Sequence, residues 1–158
     1  MLWEGTSVRF SGIDARLQDA SAMGAIRVDL AGNQPRYTVQ GRIENLAYRA
    51  GSLSLEGTAT ADGTGVEIAE NLKATGTFTG EDVAFAPDVD FQTLSGTFAL
   101  NGGGRLSLPA VQIEQASETF SGQGITLPDG KLLLELTNSK RQLKLTGQVI
   151  TPPVPVAR

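Results

Sequence analysis

The chain has 158 residues, of which 40% are hydrophobic, 19% charged and 6% aromatic, a globular composition that excludes a disordered segment or a collagen-like repeat. Its 17 acidic and 13 basic residues give a formal charge of −4, an overall balance that recruits neither nucleic acid nor an anionic membrane surface. Cysteine and histidine are both absent, which removes disulfides, thiolate metal sites, the commonest general base and the commonest zinc ligand.

Period-2 alternation of apolar residues predicts strands along most of the chain. The first pair is Val8/Phe10. Residues 11–24 then admit two readings: a helix with Ser11 and Asp14 as a weak capping box, or a strand in which Gly12 marks a bulge that switches faces, and the strand is favoured. Ile26/Val28/Leu30 leads into the turn Gly32-Asn33-Gln34-Pro35, followed by Tyr37/Val39/Gly41/Ile43 and Leu53/Leu55/Gly57. After Asp62-Gly63-Thr64-Gly65, residues 66–74 have room for a turn or two of helix. The alternation resumes at Ala74/Gly76/Phe78, Val83/Phe85, Leu94/Gly96/Phe98/Leu100, Leu106/Leu108 and Val111/Ile113. It closes with Phe120/Gly122/Gly124, the turn Pro128-Asp129-Gly130, Leu132/Leu134/Leu136 and Leu143/Leu145/Gly147/Val149. Together these predict a single β-rich domain over residues 1–151, roughly a dozen short strands joined as meanders, with a Pro-rich tail at 152–158.

A weak repeat places a glycine at the end of short motifs such as "DLAG", "TVQG", "SLEG", "KATG", "TFTG" and "TLSG". In "ATGTFTG" and "LSGTFAL" the apolar pattern continues past the glycine, so the glycine lies within the strand. Interior glycine marks a bulge, a tight bend or a close approach to the sheet face. The fold class expected is therefore all-β: a curved, mostly antiparallel sheet with little helix, either a taco-like groove or a jelly-roll-like sandwich.

The apolar face of such a sheet must be covered. The inward set is Phe78, Phe85, Leu94, Phe98, Leu100, Leu106, Leu108, Val111, Ile113, Phe120, Leu132, Leu134, Leu136, Leu143 and Leu145. No polar residue is placed among them to orient a ligand, as a site for sugars or drug-like molecules would require. If the sheet is an open trough, these residues line a groove for lipid acyl chains, in which each buried CH₂ contributes ~0.8 kcal/mol. If it closes, they are its core.

No catalytic constellation emerges. Glu81-Asp82 and the pair Asp88/Asp90 read as solvated loop residues, although the second pair has the spacing to share a calcium ion. Ser7, Ser95, Ser107 and Ser121 have no base to activate them, and "NGGG" lacks the Lys-Ser/Thr of a phosphate loop. Trp3, Tyr37 and Tyr48 could stack on sugars but suit packing or edge roles better. No enzyme activity, cofactor or metal is expected. No stretch approaches the ~20 apolar residues of a transmembrane helix, and residues 1–5 lack the basic and apolar run of a signal peptide.

Residues 91–149, "FQTLSGTFALNGGGRLSLPAVQIEQASETFSGQGITLPDGKLLLELTNSKRQLKLTGQV", resemble the C-terminal region of AsmA-like proteins, large membrane-anchored envelope proteins of diderm bacteria. The segment "YTVQGRIENLAYRAGSLSLEGTATADGTG" (37–65) is similar to repeats upstream in the same family. The resemblance implies an elongated β-groove with an aliphatic interior, a periplasmic location, and phospholipid transport towards the outer membrane. The partners it implies are acyl chains and the remainder of a parent envelope protein. A dozen strands at ~4.8 Å span only about 58 Å, so the chain is expected to be one section of such a bridge. The rival readings are a scaffold domain whose apolar face is its own core, and a carbohydrate-binding sandwich using Trp3 or Tyr48.

Overall fold

Turn residues separate the strands, and short connections keep consecutive strands adjacent. The computed structural model describes residues 1–17, 19–48, 50–86 and 89–148. Among these run β1 (Leu2–Glu4), β2 (Ser7–Leu17), β3 (Ala20–Asp29), β4 (Arg36–Tyr48), β5 (Gly51–Asp62), α1 (Val66–Asn71), β6 (Lys73–Ala86), β7 (Val89–Asn101), β8 (Arg105–Gln115), β9 (Glu118–Thr126), β10 (Lys131–Thr137) and β11 (Gln142–Gln148). Each strand pairs antiparallel with the next, giving one open eleven-stranded sheet in sequence order. The fold is thus all-β and curved, with little helix; the sheet neither closes as a barrel nor divides into a sandwich. Val149 and the segment 152–158 lie outside the described residues.

Residues 7–17 form a strand, and Gly12 sits in the left-handed region (φ 66°) at a bulge between Phe10 and Ile13. The bulge carries the apolar set from even to odd positions, so Phe10 and Ile13 share one face. A second switch occurs in β8, where Leu108 and Val111 flank a register shift. Pro109 falls inside it, where its missing N–H costs no ladder bond. The short helix α1 packs beside β5 at the β5–β6 connection, where Glu67 accepts from Thr64 N and Asn71 donates to the Asp62 carbonyl.

The sheet has two regimes. From β6 to β11 the concave positions carry large side chains, and the strands roll up around them. Phe91, Ile113 and Phe120 have no exposed surface, and Leu134, Leu136, Leu108 and Val111 complete the cluster with Phe78 and Phe85. Phe85 and Phe91 stack with centroids 5.5 Å apart. The roll turns far enough for β11 to touch β6. A Cβ at Gly147 would lie 2.8 Å from Cζ of Phe85, so glycine there lets the last strand lie against the aromatic ring.

At one end of this roll the Arg141 guanidinium lies 5.2 Å from the Phe120 ring centroid and donates to Glu118 at 2.6 Å, while Lys140 approaches the same carboxylate at 3.6 Å. Arg141→Ala is expected to reduce stability by about 0.5–1.5 kcal/mol, combining an exposed cation–π contact with a surface ion pair. Glu118→Gln should lose the smaller, salt-sensitive part alone; urea unfolding at low and high salt separates the two. The convex face carries many directly opposed polar pairs, such as Thr58/Thr75 and Thr77/Thr97, although Leu2 and Ile125 are exposed on it.

Candidate functional site: a glycine-floored trough

The antiparallel register places one glycine from each of four strands side by side. Gly24 in β3 faces Gly41 in β4, Gly41 faces Gly57 in β5, and Gly57 faces Gly76 in β6. The row is closed at one end by Ile13 of β2 and at the other by Phe98 of β7. Its flanks are rows of apolar residues on the same face. Ile26, Val39, Ala59 and Ala74 stand on one side; Ala22, Ile43 and Leu55 stand on the other, a row that ends at the buried Phe78.

The floor is backbone because there is no room for anything else. A Cβ at Gly41 would lie 2.6 Å from the Met23 carbonyl oxygen, and one at Gly76 would lie 2.8 Å from both the Gly57 Cα and Phe98 Cε1. Neighbouring backbones therefore approach more closely across this row than side chains would allow, and the sheet bends into a trough. The Phe98 ring occupies the space that a side chain at Gly76 would need, and Phe78 does the same at Gly96.

The result is an open groove of about 380 Å³ running from β2 to Phe98 of β7, perpendicular to the strands. Five inter-strand intervals from Ile13 to Phe98 make it about 24 Å long. The side chains lining its flanks are aliphatic, with Phe98 at one end; polar residues such as Gln40, Arg42, Glu56 and Thr58 belong to convex-facing positions and border it where the glycines leave the sheet thin. Val39 and Ile43 are 39% and 38% exposed, large apolar side chains left in solvent on a face that the roll elsewhere fills. No family model, curated protein or solved structure matches this chain.

Of the residues expected from sequence to line a groove, Phe98 borders this one. Phe78, Phe85, Leu108, Val111, Ile113, Phe120, Leu134 and Leu136 belong to the buried cluster of the roll. Leu94, Leu106, Leu132, Leu143 and Leu145 pack partly buried against that cluster, and Leu100 is half-buried between Ala74 and Leu106. The open surface lies further towards the N-terminus, on Ile13, Ala22, Ile26, Val39, Ile43 and Leu55; the alternation assigns the last four to strands without assigning them to a site, and the first two fall in the segment 11–24, where a strand is favoured over a helix. The glycine-ended motifs "TVQG", "SLEG" and "KATG" were its sequence signal, since Gly41, Gly57 and Gly76 are their last residues.

The remaining candidates are dispersed. Trp3 is an edge residue, 65% exposed, whose indole N–H donates to the Gly5 carbonyl at 2.7 Å. Tyr48 lies at the opposite end of the strands, paired with Gly51, so the two rings do not share a platform. Asp90 pairs with Ala84 in the β6–β7 ladder, and Asp88 lies outside the described residues. Among the described residues no helix is long and apolar enough to cross a membrane, and no group of three acidic side chains has metal-site geometry.

Proposed function

We propose that the chain is a non-enzymatic, acyl-chain-contacting section of an AsmA-like periplasmic protein, with the trough from β2 to Phe98 of β7 as its lipid surface. The observation that carries this reading is the glycine floor with aliphatic flanks. It is a long apolar channel with no convergent polar group, which suits a hydrocarbon chain held by burial and free to slide. A leaflet is about 15 Å deep, half of the ~30 Å bilayer core, so a 24 Å trough accommodates one extended acyl chain. At ~0.8 kcal/mol per buried CH₂, a chain of about fourteen methylenes would gain on the order of 10 kcal/mol, reduced by ordering and by the open side of the trough. The remainder of the parent protein would continue the trough beyond this section, and transport towards the outer membrane follows from the family resemblance. The roll of β6–β11 favours a scaffold role for that half, because its own side chains fill its concave face.

The test is native mass spectrometry of the purified protein with organic extraction of the same sample. Phospholipid or fatty acid should co-purify. The double variant V39Q/I43Q should retain the far-ultraviolet spectrum and melting behaviour while lipid occupancy falls at least tenfold, equivalent to about 1.4 kcal/mol. An apo wild-type mass together with no binding of a fluorescent fatty acid would overturn the assignment.

A further inference from the structure

On the convex side of the same strands, Arg9 of β2 and Arg27 of β3 stand directly opposite each other in the register. Both are exposed. Like charges so placed destabilise a sheet, because directly opposed side chains on one face have Cβ atoms only about 5 Å apart. Among the described residues neither guanidinium has a carboxylate partner, whereas Arg36, Arg42, Lys131, Lys140, Arg141 and Lys144 all do. Arg16, Lys73 and Arg105 are also without one, but each faces a neutral residue across the ladder: Ser21, Thr60 and Asn101.

The nearest carboxylates are engaged or set aside. Asp29 accepts the Ala31 N–H at 2.9 Å and lies opposite Arg36. Glu4 stands one row away, facing Ser7. Between these groups is a pocket of about 270 Å³, bordered by Arg9, Arg27, Glu4, Ser7, Thr38 and Gln40. Thr38 and Gln40 bring a hydroxyl and a carboxamide from the next strand, Thr38 directly opposite Arg27.

We propose that Arg9 and Arg27 form a binding site for a phosphate group, taken from a lipid headgroup or from a soluble phosphate. Two guanidinium forks on adjacent strands can converge on one tetrahedral oxyanion, with bidentate geometry that a lysine pair could not reproduce. The bound dianion replaces the repulsion between the two cations with attraction to a shared charge. In a chain of net charge −4, two adjacent arginines without a carboxylate partner concentrate positive charge in one place. The site is on the opposite sheet face from the trough, and its existence does not depend on what the trough holds.

The experiment titrates the whole chain with inorganic phosphate and pyrophosphate by calorimetry, and in parallel with phosphatidylcholine vesicles with and without phosphatidate by flotation. At least one phosphate source should bind to the wild type, more weakly as salt rises. R9Q/R27Q should lose that binding at least tenfold while melting no lower than wild type, since the repulsion is removed. R9K/R27K should lose most of it with the charge kept, and E4Q should strengthen it severalfold. Binding of soluble phosphate without vesicles, or of phosphatidate vesicles without soluble phosphate, identifies the source and supports the site either way. No binding of any probe, or equal binding by R9Q/R27Q, overturns it. Because V39Q/I43Q should leave phosphate binding intact, failure of this site and failure of the trough are separable.

Discussion

Replacing Gly76 by alanine is expected to lower the unfolding free energy by about 1–3 kcal/mol, the range for overpacking a filled site. The direction is the informative part. Alanine in place of glycine within an ordinary strand stabilises by ~0.5–1 kcal/mol, because glycine loses more backbone entropy on folding. At Gly76 the added methyl would meet the Gly57 Cα and Phe98 Cε1, both at 2.8 Å, and the first of these is backbone and cannot rotate away. Relief requires the β5–β6 pair to flatten, and flattening withdraws Phe98 from the position it takes over the missing side chain. Gly41→Ala should behave in the same way, with the Met23 carbonyl oxygen at 2.6 Å. Gly32 is the control: its nearest neighbour to an added Cβ is at 3.6 Å, so Gly32→Ala should stabilise by ~0.4–1 kcal/mol. Urea midpoints at constant slope measure all three. A Gly76→Ala protein as stable as Gly32→Ala would mean that the curvature does not depend on the glycine row.

Much of this architecture is legible in the sequence, because strand alternation and turn chemistry act locally. The step from Leu108 to Val111 breaks the period of two, and the break is the β8 bulge with Pro109 inside it. Gly12 announces its own bulge in the same way. Alternation also identifies which residues share a face, but it does not say what covers that face. Leu134 and Ile43 occupy equivalent places in an alternating pattern, yet one is buried and the other 38% exposed. The difference lies in their neighbours across the ladder, which depend on register and hence on every turn in between. Register was partly accessible: Gly24 lies eight residues before Gly32, and Gly41 lies eight after Asn33, so a hairpin centred on that turn pairs the two glycines. The same reasoning fails for Gly57 and Gly76, whose connection contains α1 and has no fixed centre. The Arg9/Arg27 pair was hidden for a similar reason, since overall charge averages over the register that brings two cations together.

Leu134→Asp is expected to abolish cooperative folding, whereas Ile43→Asp should fold with a transition close to that of the wild type. Leu134 is 1% exposed, flanked in register by Gly124 and Leu145, and its side chain fills the space that a Cβ at Gly124 would take. Removing its side-chain carbons alone, as in Leu134→Ala, should cost about 2–5 kcal/mol. An aspartate there adds the desolvation of a carboxylate with no hydrogen-bonding partner in the cluster, several kcal/mol more. A domain of this size has a total stability of about 5–15 kcal/mol, so the sum approaches or exceeds it. Ile43 sits on the wall of the trough with solvent on its open side, and a carboxylate there keeps most of its water. The cost should stay near the ~1 kcal/mol of a partly exposed site. Circular dichroism melts of the two variants, read beside lipid occupancy, distinguish a filled roll from an open trough within one sheet. A sharp transition in Leu134→Asp would mean that the roll is not a packed core, and loss of the fold in Ile43→Asp would mean that the trough is part of one.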